Sequence, residues 1–435
     1  MKDSEIKAKP GDKISLKTAS DKIDGVLLES YDKDSVLVKL DSGYNLGIKK
    51  GGIKSVKVLG KSQKHEEKIK AEENKRVPYI GMIVTGGTIS SRLDYATGGV
   101  KWLMNPSEIL GIVPKLFDVA RISRIEKPFM KASENMTSRE WQILAKKAAE
   151  LLNKPENKGI IITHGTDTLH FTAAALSFML KNLNKPVVLT YAQRSTDRGS
   201  SDTALNLTCS AYAALSDMAE VMLVGHGSID DEYCLAIRGT KVRKMHTSRR
   251  DTFRPINDLP IAKIYENGKI ELLNENFSKR NESKKVSCDA VFEDKTALIK
   301  YYPNANPDIL EFLMKKGYRG VVIEATGLGH VATAEARFDW LPTIKKCIEN
   351  GMIVCFAAQT IYGRLDPYVY SPGRELLKAG VIFLEDMLPE AAYVKLGWVL
   401  GHKNLANNKE RIKEMMLKNI SGEFNSRISA ETFLY

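Results

Sequence analysis

Residues 79–88 read YIGMIVTGGT, an apolar run that ends in two glycines and a threonine. A second apolar run, residues 159–163, is followed by HGTDT at residues 164–168. Each motif places one threonine hydroxyl, that of Thr88 or Thr166, just beyond the carboxyl end of a predicted strand. Ligands bind at this edge of an open α/β sheet, because strands stop there and helix amino termini point free N–H groups at the crevice. The pattern predicts a ligand site built around paired threonines.

Apolar strands alternate with amphipathic helices from residue 78 onward, which is typical of a parallel sheet. A capping box at residues 137–140, TSRE, predicts the start of a helix whose apolar residues then recur at helical spacing. The predicted strands of a first block are Tyr79–Val84, Gly159–Thr163, Pro186–Tyr191 and Glu220–Val224. A smaller second block has predicted strands Gly320–Ala325, Met352–Ala357 and Val381–Leu384, with helices around Pro307–Lys316 and Glu375–Ala379.

The amino-terminal region has a different pattern, with short β-type pieces separated by Ser, Asp and Gly turns. These pieces are Lys13–Lys17, Gly25–Glu29, Ser35–Leu40 and Gly43–Ile48, and their spacing predicts a small β-barrel. Residues 61–77 and 274–296 are rich in charged and polar residues, which favours two linkers. We therefore expect a β-barrel domain over 1–60, a linker over 61–77, an α/β domain carrying the site over 78–273, a linker over 274–296 and a second α/β domain over 297–435.

Composition excludes several classes of protein. The chain of 435 residues, 43% hydrophobic, is long enough for more than one core. It has no apolar stretch of the ~18–20 residues that span a bilayer and no hydrophobic signal core, so we expect a cytoplasmic protein. The five cysteines form no Cys-x-x-Cys pair, which argues against a disulfide framework or a zinc site. The charge of +12 leaves open both nucleic-acid contact and a solvated basic run at residues 49–76.

Common nucleotide and hydrolase motifs are absent from the sequence: it has no G-x-x-x-x-G-K-[ST], G-x-S-x-G or H-E-x-x-H. We therefore expect no ATP, metal or other cofactor on this chain. GLGHVA at residues 327–332 imitates a dinucleotide fingerprint, but an isolated match of this kind is weak. His164 and His170 border the second threonine motif, and structural roles are expected for both.

Three features of the sequence suit a ligand site with a hydroxyl nucleophile. Glycines let the chain turn tightly beside a ligand. A Gly-Gly pair also occurs where a strand simply ends, and Thr88 would then have no functional role. Asp167 can bind a cationic group or simply cap the following helix. A hydroxyl nucleophile needs a base, and Lys244 is a candidate, yet from spacing alone it resembles any surface lysine.

Taken together, TGGTI at residues 85–89 and HGTDT at residues 164–168 resemble the two signatures of the bacterial-type L-asparaginase and glutaminase family. Further matches follow in order: YATGGV at 95–100, Ser133-Glu134-Asn135, Ser201-Asp202 with Asn206-Leu207, and Lys244 ahead of Thr247 and Phe253. The resemblance covers roughly residues 78–400. It implies an asparaginase-like, two-domain, parallel-sheet α/β core preceded here by the small all-β barrel domain.

The resemblance also implies roles for individual side chains. Thr88 would attack the side-chain amide of glutamine or asparagine, and Tyr95 would assist it. Thr166 and Lys244 would form a second hydroxyl–amine pair. The substrate's α-ammonium would meet Asp167 and Glu134, and its α-carboxylate would lie near Ser133. The chain departs from the family at His170, where a glutamate is usual, and at His330, where an asparagine is expected to reach the neighbouring protomer's site.

About eighty residues precede the first signature, whereas stand-alone asparaginases typically begin close to it. This layout resembles the D subunits of archaeal glutamyl-tRNA(Gln) amidotransferases, as do THGTDTLH at 163–170 and YGRLDPY at 362–368. The resemblance implies a homodimer within a heterotetramer, in which the amidotransferase E subunit, as partner, binds Glu-tRNA(Gln), ATP and Mg while this chain releases ammonia from glutamine.

Two alternatives stay open at this point. One is a free-standing L-asparaginase with an appended β-barrel, and the other is a tRNA-binding adaptor whose amidohydrolase site is inactive. For the amidotransferase component we expect the segment Ile89–Val100 to become ordered only with partner and tRNA, as catalytic lids often do.

Overall fold

The computed structural model describes residues 8–30, 32, 34–42, 44–61, 76–93, 100–102, 113–196, 199–334, 336–405 and 408–435. Tyr95, half of the Ile89–Val100 segment and most of the predicted first linker lie outside these residues. Among the helices of the described part, none is long and apolar enough to cross a membrane.

The amino-terminal part is a five-stranded antiparallel sheet, which confirms the small all-β domain. Its core contains apolar side chains from several strands, among them Ile14, Leu16 and Val38. The first four strands match the predicted pieces, whereas the fifth was missed because its alternating apolar residues lie within the basic run. The strands are β1 (Asp12–Lys17), β2 (Lys22–Leu28), β3 (Ser35–Lys39), β4 (Asn45–Lys49) and β5 (Ser55–Lys61), in the spatial order β4-β3-β2-β1-β5.

The first α/β block is built on an eight-stranded mixed sheet with the order β18-β17-β14-β13-β12-β10-β6-β9. Two short hairpins and one strand of a further two-stranded ladder complete the block. The full set is β6 (Tyr79–Val84), β7 (Ser91–Leu93), β8 (Val100–Trp102), β9 (Arg121–Glu126), β10 (Asn157–Thr163), β11 (Leu180–Lys181), β12 (Val187–Thr190), β13 (Val221–His226), β14 (Tyr233–Arg238), β15 (Val242–Lys244), β16 (Phe253–Pro255), β17 (Ala262–Tyr265) and β18 (Ile270–Leu272).

The four strands predicted for this block pair in parallel, as expected. The sheet then continues with antiparallel strands β14, β17 and β18. The reason is the short connection between β13 and β14, residues 227–232, because a parallel return needs a crossover of roughly a dozen residues or more. The parallel half therefore carries the strand ends where the two threonine motifs lie.

Helices cover both faces of the sheet. The predicted capping box is present: the Thr137 side chain accepts from a backbone N–H, and the Glu140 carboxylate accepts from the Thr137 N–H at 2.8 Å. Residues of α2 and α3 pack on one face and those of α1 and α4 on the other. The helices are α1 (Lys115–Val119), α2 (Ser138–Leu152), α3 (Leu169–Met179) and α4 (Thr203–Leu215).

The second block is a four-stranded parallel sheet in the order β20-β21-β22-β23. The strands of this sheet are β20 (Thr296–Lys300), β21 (Gly320–Ala325), β22 (Ile353–Ala358) and β23 (Ile382–Phe383). The short strand β19 (Ser287–Cys288) precedes them in the chain and pairs with β11 of the first block. The helices of the second block are α5 (Asp308–Lys315), α6 (Leu341–Glu349), α7 (Ser371–Lys378), α8 (Pro389–Leu400) and α9 (Lys409–Leu417).

The two α/β blocks share one continuous core. Helix α8 packs against α3, where Phe178 and Trp398 stack with ring centroids 6.1 Å apart. Lys241 of the first block and Asp386 of the second form an ion pair at 2.7 Å, and both side chains are fully buried. The polar segment 274–296 is packed as well, since Trp398 donates to the Asp289 carbonyl at 3.1 Å. The second block is therefore joined to the strands that carry the site.

Candidate active site

Three loops meet in direct backbone contact at the carboxyl ends of β6 and β10. Gly87 has a φ of +79°, and a Cβ on it would lie 2.5 Å from the Gly165 Cα, so neither backbone has room for a side chain between them. A Cβ on Gly165 would in turn lie 2.9 Å from the Ser133 Oγ. Thr88 follows Gly87 and Thr166 follows Gly165, so the backbones of the two threonine motifs meet directly at this contact.

The second motif forms a compact charged cluster with a residue of β15. The Lys244 Nζ donates to the Thr166 Oγ1 at 2.9 Å and to the Asp167 Oδ1 at 2.7 Å. The Lys244 side chain is 11% exposed, whereas that of Asp167 is 63% exposed. Lys244 is thus mostly buried, whereas the Asp167 side chain is largely open to solvent. Charge-assisted hydrogen bonds of this kind are about twice as strong as neutral ones.

Ser133 holds the turn that carries Asp167. Its Oγ lies 3.2 Å from the Asp167 N–H and 3.4 Å from the Thr168 N–H, and Thr168 donates its hydroxyl to the Ser133 carbonyl at 2.7 Å. The Ser133 side chain is buried, whereas the adjacent Glu134 is exposed in the same short 3₁₀ turn. Because the Ser133 Oγ is the acceptor in both backbone contacts, the Ser133 hydroxyl can still donate a hydrogen bond to another group.

Thr88 begins a 3₁₀ turn, Thr88–Ser90, and is partly exposed while the next residue, Ile89, is fully buried. The buried Ile89 anchors the turn and leaves Thr88 accessible from the crevice. Tyr95 lies outside the described residues, so its part in the site stays a prediction. The predicted residues Thr88, Thr166, Asp167 and Lys244 therefore occur on contacting loops or in direct hydrogen bonds.

Two buried histidines lie behind the site. The His164 ring is fully buried and hydrogen-bonded at both nitrogens, and burial lowers its pKa to about 4. Burial also lowers the pKa of His170 to about 3, helped by the positive charges of Arg243 and Lys244. Both rings are neutral near pH 7, so neither can act as a general acid there, and this agrees with the structural roles expected for them.

The depressed histidine pKa values predict loss of stability in mild acid. An unfolded histidine binds a proton near pH 6.5, but folded His164 and His170 bind theirs only near 4 and 3. The unfolded chain therefore takes up more protons as the pH falls below 6.5, and the free energy of unfolding decreases. We expect a loss of roughly 2 kcal/mol per histidine between pH 7 and 5, measured by urea unfolding.

The matched variant for this experiment is His170→Phe, because His170 packs against Phe171 and Phe253. The variant should lose about half as much stability as the wild type between the same two pH values. A urea midpoint that is equal at pH 7 and 5 in the wild-type chain would contradict the buried, neutral state of these rings.

The dinucleotide-like segment at residues 327–332 does not form a phosphate loop. The Thr326 N–H donates to the His330 carbonyl at 2.9 Å, and the His330 N–H returns to the Thr326 carbonyl at 2.9 Å, which closes a tight turn. The next helix, α6, begins only at Leu341. No helix amino terminus therefore follows the glycines, as dinucleotide binding would require.

The chain matches three sequence families in succession. They are the GatD N-terminal domain over residues 8–59, the asparaginase N-terminal domain over 79–278 and the glutaminase/asparaginase C-terminal domain over 295–416. The D subunit of the glutamyl-tRNA(Gln) amidotransferase from Pyrococcus furiosus is 48% identical, covering 99% of this chain and 95% of the relative. The same component from Archaeoglobus fulgidus is 43% identical, covering 95% and 94%. This chain belongs to the family of glutamyl-tRNA(Gln) amidotransferase D subunits.

Solved asparaginases resemble the α/β part of this member of the D-subunit family. The thermostable L-asparaginase from Thermococcus kodakarensis has a TM-score of 0.70 and 27% identity, covering 80% of this chain and 100% of that one. L-asparaginase I from Vibrio cholerae has a TM-score of 0.68 and 27% identity, covering 80% and 99%. The asparaginase-like fold and the D-subunit resemblance expected from the motifs are therefore confirmed.

Sequence reasoning missed the residues that support the site. Thr168, Thr172 and Trp141 form hydrogen bonds around the two motifs, but threonine and tryptophan in apolar helices carry no pattern that marks them. Lys244 was found through the family resemblance.

Proposed function

We propose that this chain hydrolyses the side-chain amide of glutamine and supplies the ammonia that converts Glu-tRNA(Gln) to Gln-tRNA(Gln) in an amidotransferase. The observation that carries the proposal is the Thr166–Lys244–Asp167 cluster, held against the loop of Thr88 in a member of the D-subunit family. Asparagine, whose side chain is one methylene shorter, is the alternative substrate.

The chemistry starts at Thr88. Its Oγ attacks the amide carbon, and the oxyanion that forms is stabilised by backbone N–H groups beside Thr88 and Thr166. The hydroxyl proton is transferred to the leaving nitrogen, so that ammonia departs and an acyl-threonine remains. Water then adds to the ester carbonyl and releases glutamate. Thr166, hydrogen-bonded to Lys244, is the second hydroxyl–amine pair that moves protons in these steps.

The charges of the crevice suit the two ends of a free amino acid. Asp167 and Glu134 are exposed carboxylates on adjacent loops, and both attract the α-ammonium group. Ser133 retains a hydroxyl proton for the α-carboxylate. Tyr95 is proposed to assist Thr88 from the segment that follows the nucleophile. This set selects α-amino acids with a terminal amide over peptides or simple amides.

The remaining components belong to a complex. We propose that an amidotransferase E subunit binds Glu-tRNA(Gln), ATP and Mg, that this chain binds no cofactor, and that a homodimer of it lies within a cytoplasmic heterotetramer. The names of the curated relatives as amidotransferase components and the match over residues 8–59 support the part of this proposal that makes the chain one component of an amidotransferase. They favour it over a free-standing asparaginase, since the family model matched over residues 8–59 is the GatD N-terminal domain.

Turnover should depend on the complex. Hydrolysis without an acceptor would waste glutamine, so we expect glutaminase activity to rise at least ~10-fold when the E subunit and Glu-tRNA(Gln) are added, as lid closure completes a site. Ammonia release from glutamine, with and without these components, measures this. Fast hydrolysis by the chain alone, unchanged by both, would favour the free-standing amidohydrolase.

A further inference from the structure

A chain of buried hydrogen bonds lies directly behind the Thr166 loop. The Trp141 indole N–H donates to the Thr172 Oγ1 at 3.1 Å, and the Thr172 Oγ1 lies 3.0 Å from the His164 Nε2. The His164 Nδ1 lies 2.7 Å from the Gly165 carbonyl oxygen. His164 and Thr172 are fully buried and Trp141 is nearly so. These hydrogen bonds join α2 and α3 to the turn after β10.

The direction of each bond follows from its partners. A carbonyl oxygen can only accept, so the proton of the neutral imidazole is on Nδ1 and Nε2 is an acceptor. Thr172 therefore donates its hydroxyl to Nε2 and receives the indole N–H, which is a donor only. All three side chains are satisfied in one arrangement of protons. The opposite tautomer would place two lone pairs, on Nδ1 and the Gly165 oxygen, against each other.

The fixed carbonyl determines where the next N–H points. The Gly165–Thr166 peptide is trans, so its C=O and N–H point in opposite directions. The buried His164 ring draws the carbonyl inward, and the Thr166 N–H is thereby turned outward to the partly exposed side where Thr166 lies. Among the described residues, none accepts a hydrogen bond from this N–H. It is available to a ligand in the crevice.

We propose that His164 is a positioning residue for the amidohydrolase: it holds the Gly165–Thr166 peptide so that the Thr166 N–H faces the oxyanion, and Thr172 and Trp141 hold its required tautomer. The inference deepens the proposed function and rests on it. An oxyanion donor acts mainly in the transition state, so loss of its orientation lowers kcat and leaves KM for glutamine nearly unchanged.

The test compares His164→Leu with His164→Asn in the full chain assembled with its amidotransferase partner. The two replacements are nearly equal in size, but only the asparagine amide can donate to the Gly165 carbonyl. We expect His164→Leu to lower kcat for glutamine on the order of 10²-fold with KM changed less than about 3-fold, and His164→Asn to recover at least ~10-fold of the loss. Thr172→Val should lower kcat by a smaller factor, about 3–10-fold, again without a change in KM.

His226→Asn is the matched control, because His226 is another buried histidine with both nitrogens hydrogen-bonded, to Asn206 at 2.6 Å and Asp231 at 2.8 Å. Its kcat should stay within about 3-fold of the wild type. Equal kcat in the two His164 variants, or a loss expressed in KM, would overturn the positioning role. If His164→Leu does not fold, Thr172→Val provides the test. A lower kcat with an unchanged KM supports the positioning role, and a loss expressed in KM overturns it. Wild-type turnover is the separate test of the function, since a wild type inactive on glutamine refutes the function itself.

Discussion

Replacing Thr88 with alanine is expected to lower glutamine-dependent amidation of Glu-tRNA(Gln) by at least ~10³-fold, because it removes the hydroxyl that forms the acyl intermediate. Amidation driven by added ammonium chloride should continue at the wild-type rate, since the ammonia is then supplied from solution. Thr88 lies on a turn anchored by buried Ile89, so the loss of one hydroxyl at the surface of the crevice leaves the fold intact.

The comparison between the two nitrogen sources also separates the enzyme from an adaptor. The matched control is Ser90→Ala, which removes a hydroxyl two residues further along the same 3₁₀ turn. The control should keep both activities. If Thr88→Ala kept its glutamine-dependent activity, Thr88 would not be the nucleophile, and the tRNA-binding adaptor would be favoured.

Replacing Asp386 with alanine is expected to lower the free energy of unfolding by about 3–5 kcal/mol, because it leaves the Lys241 ammonium buried without its counter-charge. The two side chains are fully buried and 2.7 Å apart. Burial lowers the pKa of Lys241, and the Asp386 carboxylate opposes that shift. Asp386 also accepts from the Asn425 N–H at 3.1 Å, so the carboxyl-terminal segment loses a contact as well. Urea unfolding at pH 7 measures the change.

Two controls define the cause of this effect. Glu150→Ala breaks an ion pair with Lys147, in which the Glu150 side chain is 60% exposed and the Lys147 side chain 34% exposed. This variant should lower the free energy of unfolding by less than ~1 kcal/mol. The double variant Lys241→Met with Asp386→Leu removes both charges and should recover most of the lost stability. A double variant as unstable as Asp386→Ala would contradict the electrostatic origin and indicate that the shape of this contact dominates.

The strands and the two motifs could be predicted because their signals are local. Runs such as Tyr79–Val84 and Gly159–Thr163 are apolar throughout, as parallel strands buried on both faces must be. The polar residues that follow each run then mark the end of the strand. The helix that begins after Thr137 could be predicted equally well, because its capping box and its amphipathic spacing indicate the same element.

The missed features depend on contacts between distant parts of the chain. Lys241 and Asp386 are far apart in sequence, and nothing in either neighbourhood predicts that a buried charge on one is matched by the other. Helix α8, Pro389–Leu400, is almost wholly buried between the second sheet and helices α3 and α9, so it lacks the amphipathic period by which surface helices are recognised. The hydrogen bond from Lys244 to Thr166 likewise forms only when the hairpin of β15 and β16 places Lys244 against the loop that follows β10.

Covalent capture tests most directly whether Thr88 attacks a carboxamide in the crevice it shares with Thr166. A glutamine analogue with a diazoketone in place of the amide should alkylate the nucleophile, and mass spectrometry of the digested chain locates the adduct. We expect one adduct per chain, on Thr88, that is absent in Thr88→Ala and formed more slowly in Lys244→Met. An adduct on a residue outside the contacting loops, or equal labelling of Thr88→Ala, would contradict the assignment of Thr88 as the nucleophile.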